Sequence, residues 1–251
     1  MKKEEKIEIK KDPNRIRTGI EGLDIMLKGG FIKGRNFLLS GPSGSGKSTL
    51  AIHFVYEGVL NKEKVLYLTL EESKEKITED MSKFGFDLKK AEKEGNFIFL
   101  GGPIAKVTSA MQKVDATIDN IINEIEIVVK ERKIQRVVVD SINLLTMLVE
   151  NESGRRKALA TLSNTLSSLG CTSILISETE EGTMKLSRYG IEEFVVDGVI
   201  VLYLVRQGSI FVPGIAIRKL RGSDHDKEIR VFKITNKGIV VYPQETMFGK
   251  I

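Results

Sequence analysis

A single cysteine in 251 residues excludes any disulfide within the chain, as expected for a reducing compartment. Cys171 lies in the run Gly170-Cys171-Thr172-Ser173-Ile174-Leu175-Ile176, where a small buried thiol is the reading that fits. The chain starts Met1-Lys2-Lys3-Glu4-Glu5-Lys6, charged and without the apolar stretch of a secretory signal. Its longest apolar run, Val199 to Val205, falls far short of the ~20 residues that a membrane helix needs. No internal repeat and no low-complexity linker interrupts it. These absences leave a cytoplasmic globular protein with no membrane partner as the expectation. Charge is no more decisive. The formal net charge of +5 and pI of about 9.1 are modest against 29% charged residues. Such a surface permits nucleic-acid binding without arguing for it.

Hydrophobic residues make up 41% of the chain, enough for one substantial core. Within it, Gly41-Pro42-Ser43-Gly44-Ser45-Gly46-Lys47-Ser48 is a complete phosphate-binding loop. Asn36 to Ser40 before it reads as a buried strand, and Thr49 to Val55 after it continues as a helix. The glycines let the backbone turn tightly, so that successive N–H groups face a phosphate while the helix N-terminus adds its positive dipole end. Lys47 can reach the β- and γ-phosphates, and the Ser48 hydroxyl is placed to ligate Mg²⁺. A glycine-rich turn without a ligand does not require Lys-Ser after the last glycine.

Residues 1–17 read as a charged arm and 18–251 as a single domain. Strand and helix patterns alternate through the first two thirds: a strand at Val65–Leu70, a helix from about Lys74 to Phe84 and a strand at Phe97–Leu100. There follow a long helical pattern from Ser109 to Arg132, a strand at Val137–Asp140, a helix from Arg155 to Leu169 and a strand at Ile174–Ile176. Such alternation predicts an α/β fold with a mostly parallel sheet flanked by helices. From Val195 onward only strands follow, with turns at Gln207-Gly208, Gly222-Ser223 and Lys237-Gly238, which predicts a C-terminal antiparallel hairpin extension.

Asp140 closes the apolar run Val137–Val139, where a carboxylate at a strand's C-terminal end beside a phosphate loop is expected to help hold Mg²⁺. Glu71 and Glu72 follow the Tyr67–Leu70 run. A carboxylate there can orient and polarise an attacking water. Neighbours in a strand point opposite ways, so at most one should face a nucleotide comfortably. Glu71 is the preferred base. Glu72 stays open between that role and the acidic first turn of the next helix.

The phosphate loop, the paired glutamates and Val139-Asp140-Ser141 together resemble the RecA-superfamily ATPases of the KaiC type. Two later segments are more specific to that family. They are Ser187-Arg188-Tyr189-Gly190-Ile191-Glu192-Glu193-Phe194-Val195 and Lys219-Leu220-Arg221-Gly222-Ser223-Asp224-His225-Asp226-Lys227. The resemblance runs from about Arg17 to Pro243. It implies a RecA-like P-loop ATPase core binding ATP and Mg²⁺, in a homo-oligomeric ring, usually a hexamer, with ATP between neighbouring subunits. It also implies that Glu71 is the hydrolytic base and that Lys219 and Arg221 reach the γ-phosphate of the adjacent subunit. Leu220, Ser223, His225 and Lys227 then accompany them as nucleotide contacts on the same strand–turn. Lys83 and Phe84 fall where the family contacts the adenine side. Independently of the resemblance, Lys219 and Arg221 occupy alternate positions of one strand, so both cations should line one face; a charged, solvated edge strand is the other reading.

The departures narrow the function. The clock protein of this family has two such domains in tandem, and this chain has one. Glu193 and Phe194 stand where the clock protein's second domain carries a phosphorylatable Ser-Thr pair, so self-phosphorylation is not expected. The relatives also include RadA-type recombinases. Two loops, Glu150 to Lys157 and Glu180 to Arg188, would face a ring's centre. Lys185, Arg188 and Tyr189 in the second could hold single-stranded DNA, against a field of mixed sign. The expectation is therefore an Mg²⁺-dependent ATPase ring. The alternatives are a RadA-paralogue accessory factor on single-stranded DNA and a non-hydrolysing nucleotide switch that docks a partner protein.

Overall fold

The computed structural model describes residues 12–102, 118–183 and 185–247. The pattern expected to be helical from Ser109 lies outside these residues up to 117. The same is true of the arm up to residue 11.

In chain order the elements are β1 (Arg15–Ile16), α1 (Glu21–Met26), β2 (Phe31–Ile32), β3 (Asn36–Gly41), α2 (Lys47–Leu60), β4 (Val65–Thr69), α3 (Lys74–Ser82), α4 (Leu88–Lys93) and β5 (Phe97–Gly101). They continue with α5 (Ile118–Arg132), β6 (Arg136–Asp140), α6 (Ile142–Met147), α7 (Glu152–Ser168), β7 (Thr172–Glu178), a 3₁₀ turn at Glu192–Phe194, β8 (Gly198–Gln207), β9 (Ile210–Leu220), β10 (Arg230–Thr235) and β11 (Gly238–Thr246). Nine strands form one sheet in the order β11-β10-β9-β8-β3-β7-β6-β4-β5. From β8 to β5 every pairing is parallel. Strands β9, β10 and β11 extend the β8 edge in antiparallel fashion. The expected α/β fold is present, including the hairpin extension.

Side-chain alternation along the central strands builds two cores. Phe37, Leu39, Tyr67, Val138, Ile174 and Ile176 face α1, α2, α3 and α4. Leu38, Leu66, Leu68, Val137, Val139 and Leu175 face α5, α6 and α7. Burial on both faces explains why these strands read as continuous apolar runs. The same parity has a functional consequence. Asp140 shares a face with Val138, and Glu178 with Ile176, so both carboxylates point toward the side where α2 begins.

α2 is anchored by His53. Its Nε2 accepts from Ile239 N at 2.8 Å, and its ring meets Phe86 edge-on at 4.8 Å between centroids. The turn at Gly238 (φ +86°) presses on this ring, since a Cβ there would lie 2.2 Å from Nε2. Burial disfavours the imidazolium and lowers the His53 pKa to about 4, while a backbone hydrogen bond with Gly19 opposes the shift. The folded pKa lies below the unfolded one, so this stabilising contribution is complete above pH ~6.5 and is lost as acid protonates the unfolded chain first. Urea unfolding of wild type and His53→Gln at about pH 7.5 and about pH 5 tests this. The wild-type advantage should shrink by roughly 2 kcal/mol at the lower pH. An unchanged difference would contradict a neutral, buried His53.

Candidate active site

The loop between β3 and α2 encloses a cavity of about 340 Å³ together with the ends of β4, β6 and β7. Ser43, Gly44, Gly46, Lys47, Ser48 and Thr49 line it. Gly46 caps α2 with φ +92°, which L side chains rarely adopt, and a Cβ there would also come within 3.0 Å of Ile234. Gly41 ends β3. Ser45 turns inward and donates to Pro42 O at 2.7 Å, shaping the loop rather than facing the cavity. Lys47 Nζ donates to Pro42 O at 2.8 Å and lies 3.7 Å from Glu178 Oε1. Burial lowers the Lys47 pKa, and the Glu178, Asp140 and Glu71 charges oppose that shift.

Opposite the loop, one oxygen of Asp140 accepts two hydroxyl hydrogen bonds, from Ser48 at 2.8 Å and from Tyr67 at 2.6 Å. Burial raises the Asp140 pKa to about 6 despite these donors, and the Glu71 charge adds to the rise. A buried carboxylate whose charge is this poorly solvated favours a nearby cation. Ser48 and Asp140 present the hard oxygen donors that Mg²⁺ takes, with room for phosphate oxygens and water to complete the shell. Among the described residues no group of three or more His, Cys, Asp or Glu could hold a metal by itself. A metal shared with phosphate needs no such cage.

Both glutamates line the cavity, which differs from the expectation of opposed side chains. The physical reason is that β4 stops at Thr69. The Thr69 hydroxyl then accepts from Glu71 N at 3.2 Å and Glu72 N at 3.4 Å, turning the chain so that strand alternation no longer applies. Glu71 Oε1 accepts from Ser141 Oγ at 2.6 Å, whereas Glu72 pairs with Lys76 at 2.5 Å. Lys83 caps α3 and pairs with Asp80 at 2.7 Å; neither it nor the half-buried Phe84 lines the cavity.

The Lys219–Lys227 segment lies elsewhere. Gly198 pairs with Phe37 on one side and Leu220 on the other, so the end of β9 is level with the start of β3. The phosphate loop leaves the far end of β3, roughly 13 Å away at the usual rise per residue. Leu220 is buried and ends β9, so Arg221 stands one residue beyond the strand rather than in alternation with Lys219. Lys219 Nζ donates to Glu193 O and Val196 O, each at 2.7 Å. Burial, then the nearby Arg221 charge, lowers its pKa. The Arg221 backbone is clamped by Asp197 O and the Arg35 guanidinium, leaving its side chain exposed. Ser223 accepts from Arg15, His225 Nδ1 contacts Asp226 O at 2.7 Å, and Lys227 is exposed.

Of the two loops weighed for DNA, the first is largely the start of α7, capped by Asn151, whose Oδ1 accepts from Gly154 N at 2.7 Å. Arg155 lies over the Tyr189 ring at 4.9 Å, so one face of that aromatic is already occupied.

Sequence reasoning missed Tyr67, Ser141, Ile234 and Glu178 as parts of this site. Glu178 carries the signal that found Asp140, an acid closing an apolar strand. Tyr67 carries none, since a tyrosine inside a buried strand reads as core.

A β–loop–α phosphate cradle facing a strand-end aspartate defines a P-loop nucleotide-binding protein of RecA-type architecture. The family described as ATPase: KaiC matches residues 16–246, and the chain belongs to that family. A KaiC-like protein from Pyrococcus horikoshii is 37% identical with a TM-score of 0.80, covering 91% of this chain and 99% of that one. The UPF0273 protein of Thermotoga maritima is 33% identical over 243 residues, 94% of this chain and 99% of its own length. The circadian clock protein KaiC3 of Synechocystis is 33% identical over 230 residues, 91% of this chain but 46% of that protein. The chain thus spans about half the length of the clock proteins it matches, and 96–99% of the length of the UPF0273 relatives. Among the described residues no helix is long and apolar enough to cross a membrane.

Proposed function

We propose that the protein hydrolyses ATP with Mg²⁺, working as a homo-oligomeric ring, usually a hexamer in this family, whose active sites are completed by a neighbouring subunit. The observation that carries the hydrolytic reading is the convergence of Lys47, Ser48, Asp140 and Glu71 on one cavity. Lys47 and the loop amides bind the phosphates, and Ser48 with Asp140 holds the metal side. Mg²⁺, when bound, would supply positive charge to neutralise the charge developing on the phosphates. Glu71, oriented by Ser141, accepts the proton of the attacking water as its oxygen bonds to the γ-phosphorus and the bond to the β-phosphate oxygen breaks, releasing ADP. The ring is supported by the sheet register. Lys219 and Arg221 are cations at the opposite end of the sheet from their own phosphate loop, which suits delivery of the exposed Arg221 to the nucleotide of another copy.

Steady-state turnover of purified protein tests the reading, with and without single-stranded DNA. Glu71→Gln keeps the shape but accepts no proton, so ATP binding should survive while turnover falls by about 10²-fold or more. If Glu72→Gln carries that loss instead, Glu72 is the base. Turnover absent from wild type under every condition, with tight ATP binding retained, would favour the nucleotide switch.

A further inference from the structure

Glu178 is the last residue of β7, and β7 runs between β3, which leads into the phosphate loop, and β6, which ends at Asp140. Its backbone is fixed on both sides. Glu178 N donates to Asn143 Oδ1 at 2.7 Å, and the next amide, Thr179 N, donates to Gly41 O at 3.1 Å. Strand parity sends its side chain toward α2, where the carboxylate stands 3.7 Å from Lys47 Nζ. The Lys47 side chain is 8% exposed, so this carboxylate is the counterion of a nearly enclosed ammonium at the place where phosphate must arrive. The Glu178 side chain is 40% exposed and has solvent to swing into.

We propose that Glu178 is a positioning residue that competes with the γ-phosphate for Lys47, and so sets the preference of the site between nucleoside tri- and diphosphates. This rests on the nucleotide reading above. Without nucleotide, Lys47 rests on the Pro42 carbonyl of the loop with Glu178 as its counterion. A triphosphate brings its additional anionic group to the region bounded by Glu71, Asp140 and Glu178, and Lys47 passes from carboxylate to phosphate. The carboxylate left behind repels the new anion at short range until it turns to solvent. A diphosphate adds no γ-phosphate charge and meets less of this opposition. The Glu178 backbone, pinned to Asn143 and adjoining the Gly41 contact, keeps the carboxylate at this junction. Discrimination is therefore built into the resting site.

The test is the affinity of Glu178→Gln and wild type for a non-hydrolysable ATP analogue and for ADP, both with Mg²⁺, by calorimetry. The substitution is nearly isosteric and half-exposed, and a thermal melt verifies folding. Removing one unit charge at short range in a partly solvated cavity should tighten triphosphate binding by about tenfold. ADP affinity should move by less than about threefold, so the ratio of the two Kd values changes. A merely structural role would shift both nucleotides alike. Equal shifts, an unchanged ratio or weaker triphosphate binding would overturn the assignment of Glu178 while leaving nucleotide binding intact. A wild-type protein that binds neither nucleotide would overturn the underlying reading and this proposal with it.

Discussion

Arg221→Ala is expected to bind ATP, assemble as wild type does, and hydrolyse ATP more slowly by roughly 10³–10⁵, the worth of an arginine supplied to a phosphoryl-transfer transition state. In the proposed hydrolysis the γ-phosphoryl group would develop charge that Lys47 and a metal would neutralise only in part. The Arg221 side chain is exposed, and its backbone is held by Asp197 O and Arg35, so truncation should leave the fold intact. In the ring proposed above, the arginine serves a neighbour's nucleotide, because it stands far from its own phosphate loop. Mixing Arg221→Ala with Lys47→Ala protein separates the two cases. An Arg221→Ala subunit keeps its phosphate loop and can receive the intact arginine of a Lys47→Ala neighbour, so partial turnover should return at those junctions. If subunit exchange is demonstrated independently and no mixing ratio restores activity, Arg221 does not act across an interface.

Lys47→Ala alone is expected to weaken Mg·ATP binding and abolish detectable hydrolysis. Lys47 is the loop's own cation toward the phosphates, and its loss also leaves Glu178 facing the site without a counterion. Both changes oppose an incoming polyphosphate, the first by lost attraction and the second by unrelieved repulsion. Equilibrium binding of a fluorescent ATP analogue measures this, and wild-type affinity in the variant would sink the phosphate-loop assignment.

The features of this protein that are legible in its amino-acid sequence share one property: their signal is local. The phosphate loop is a run of eight residues whose backbone demands and chemistry coincide, so the roles proposed for Gly46, Lys47 and Ser48 come directly from residue type and spacing. The parallel core follows from apolar runs alternating with helical periodicity. Asp140 follows from an acid closing such a run beside that loop. Local signals also mislead where a local hydrogen bond ends a strand early. The Thr69 hydroxyl turns the chain and brings Glu72 into the cavity beside Glu71, against strand alternation.

Other features depend on which strands become neighbours, and pairing between strands about 70 to 160 residues apart leaves no periodic trace in sequence. β7 lies between β3 and β6, and this alone carries Glu178 to Lys47 and makes it part of the site. Tyr67 reads as core in its strand, yet the pairing of β4 with β6 delivers its hydroxyl to Asp140. Parallel docking of β8 on β3, followed by the reversal into β9, carries Lys219 and Arg221 to the sheet end remote from the phosphate loop. Residue types and spacing thus identified the phosphate-loop motif. The order and direction of the strands determined which acids face Lys47, and put the two cations out of reach of their own chain's nucleotide site.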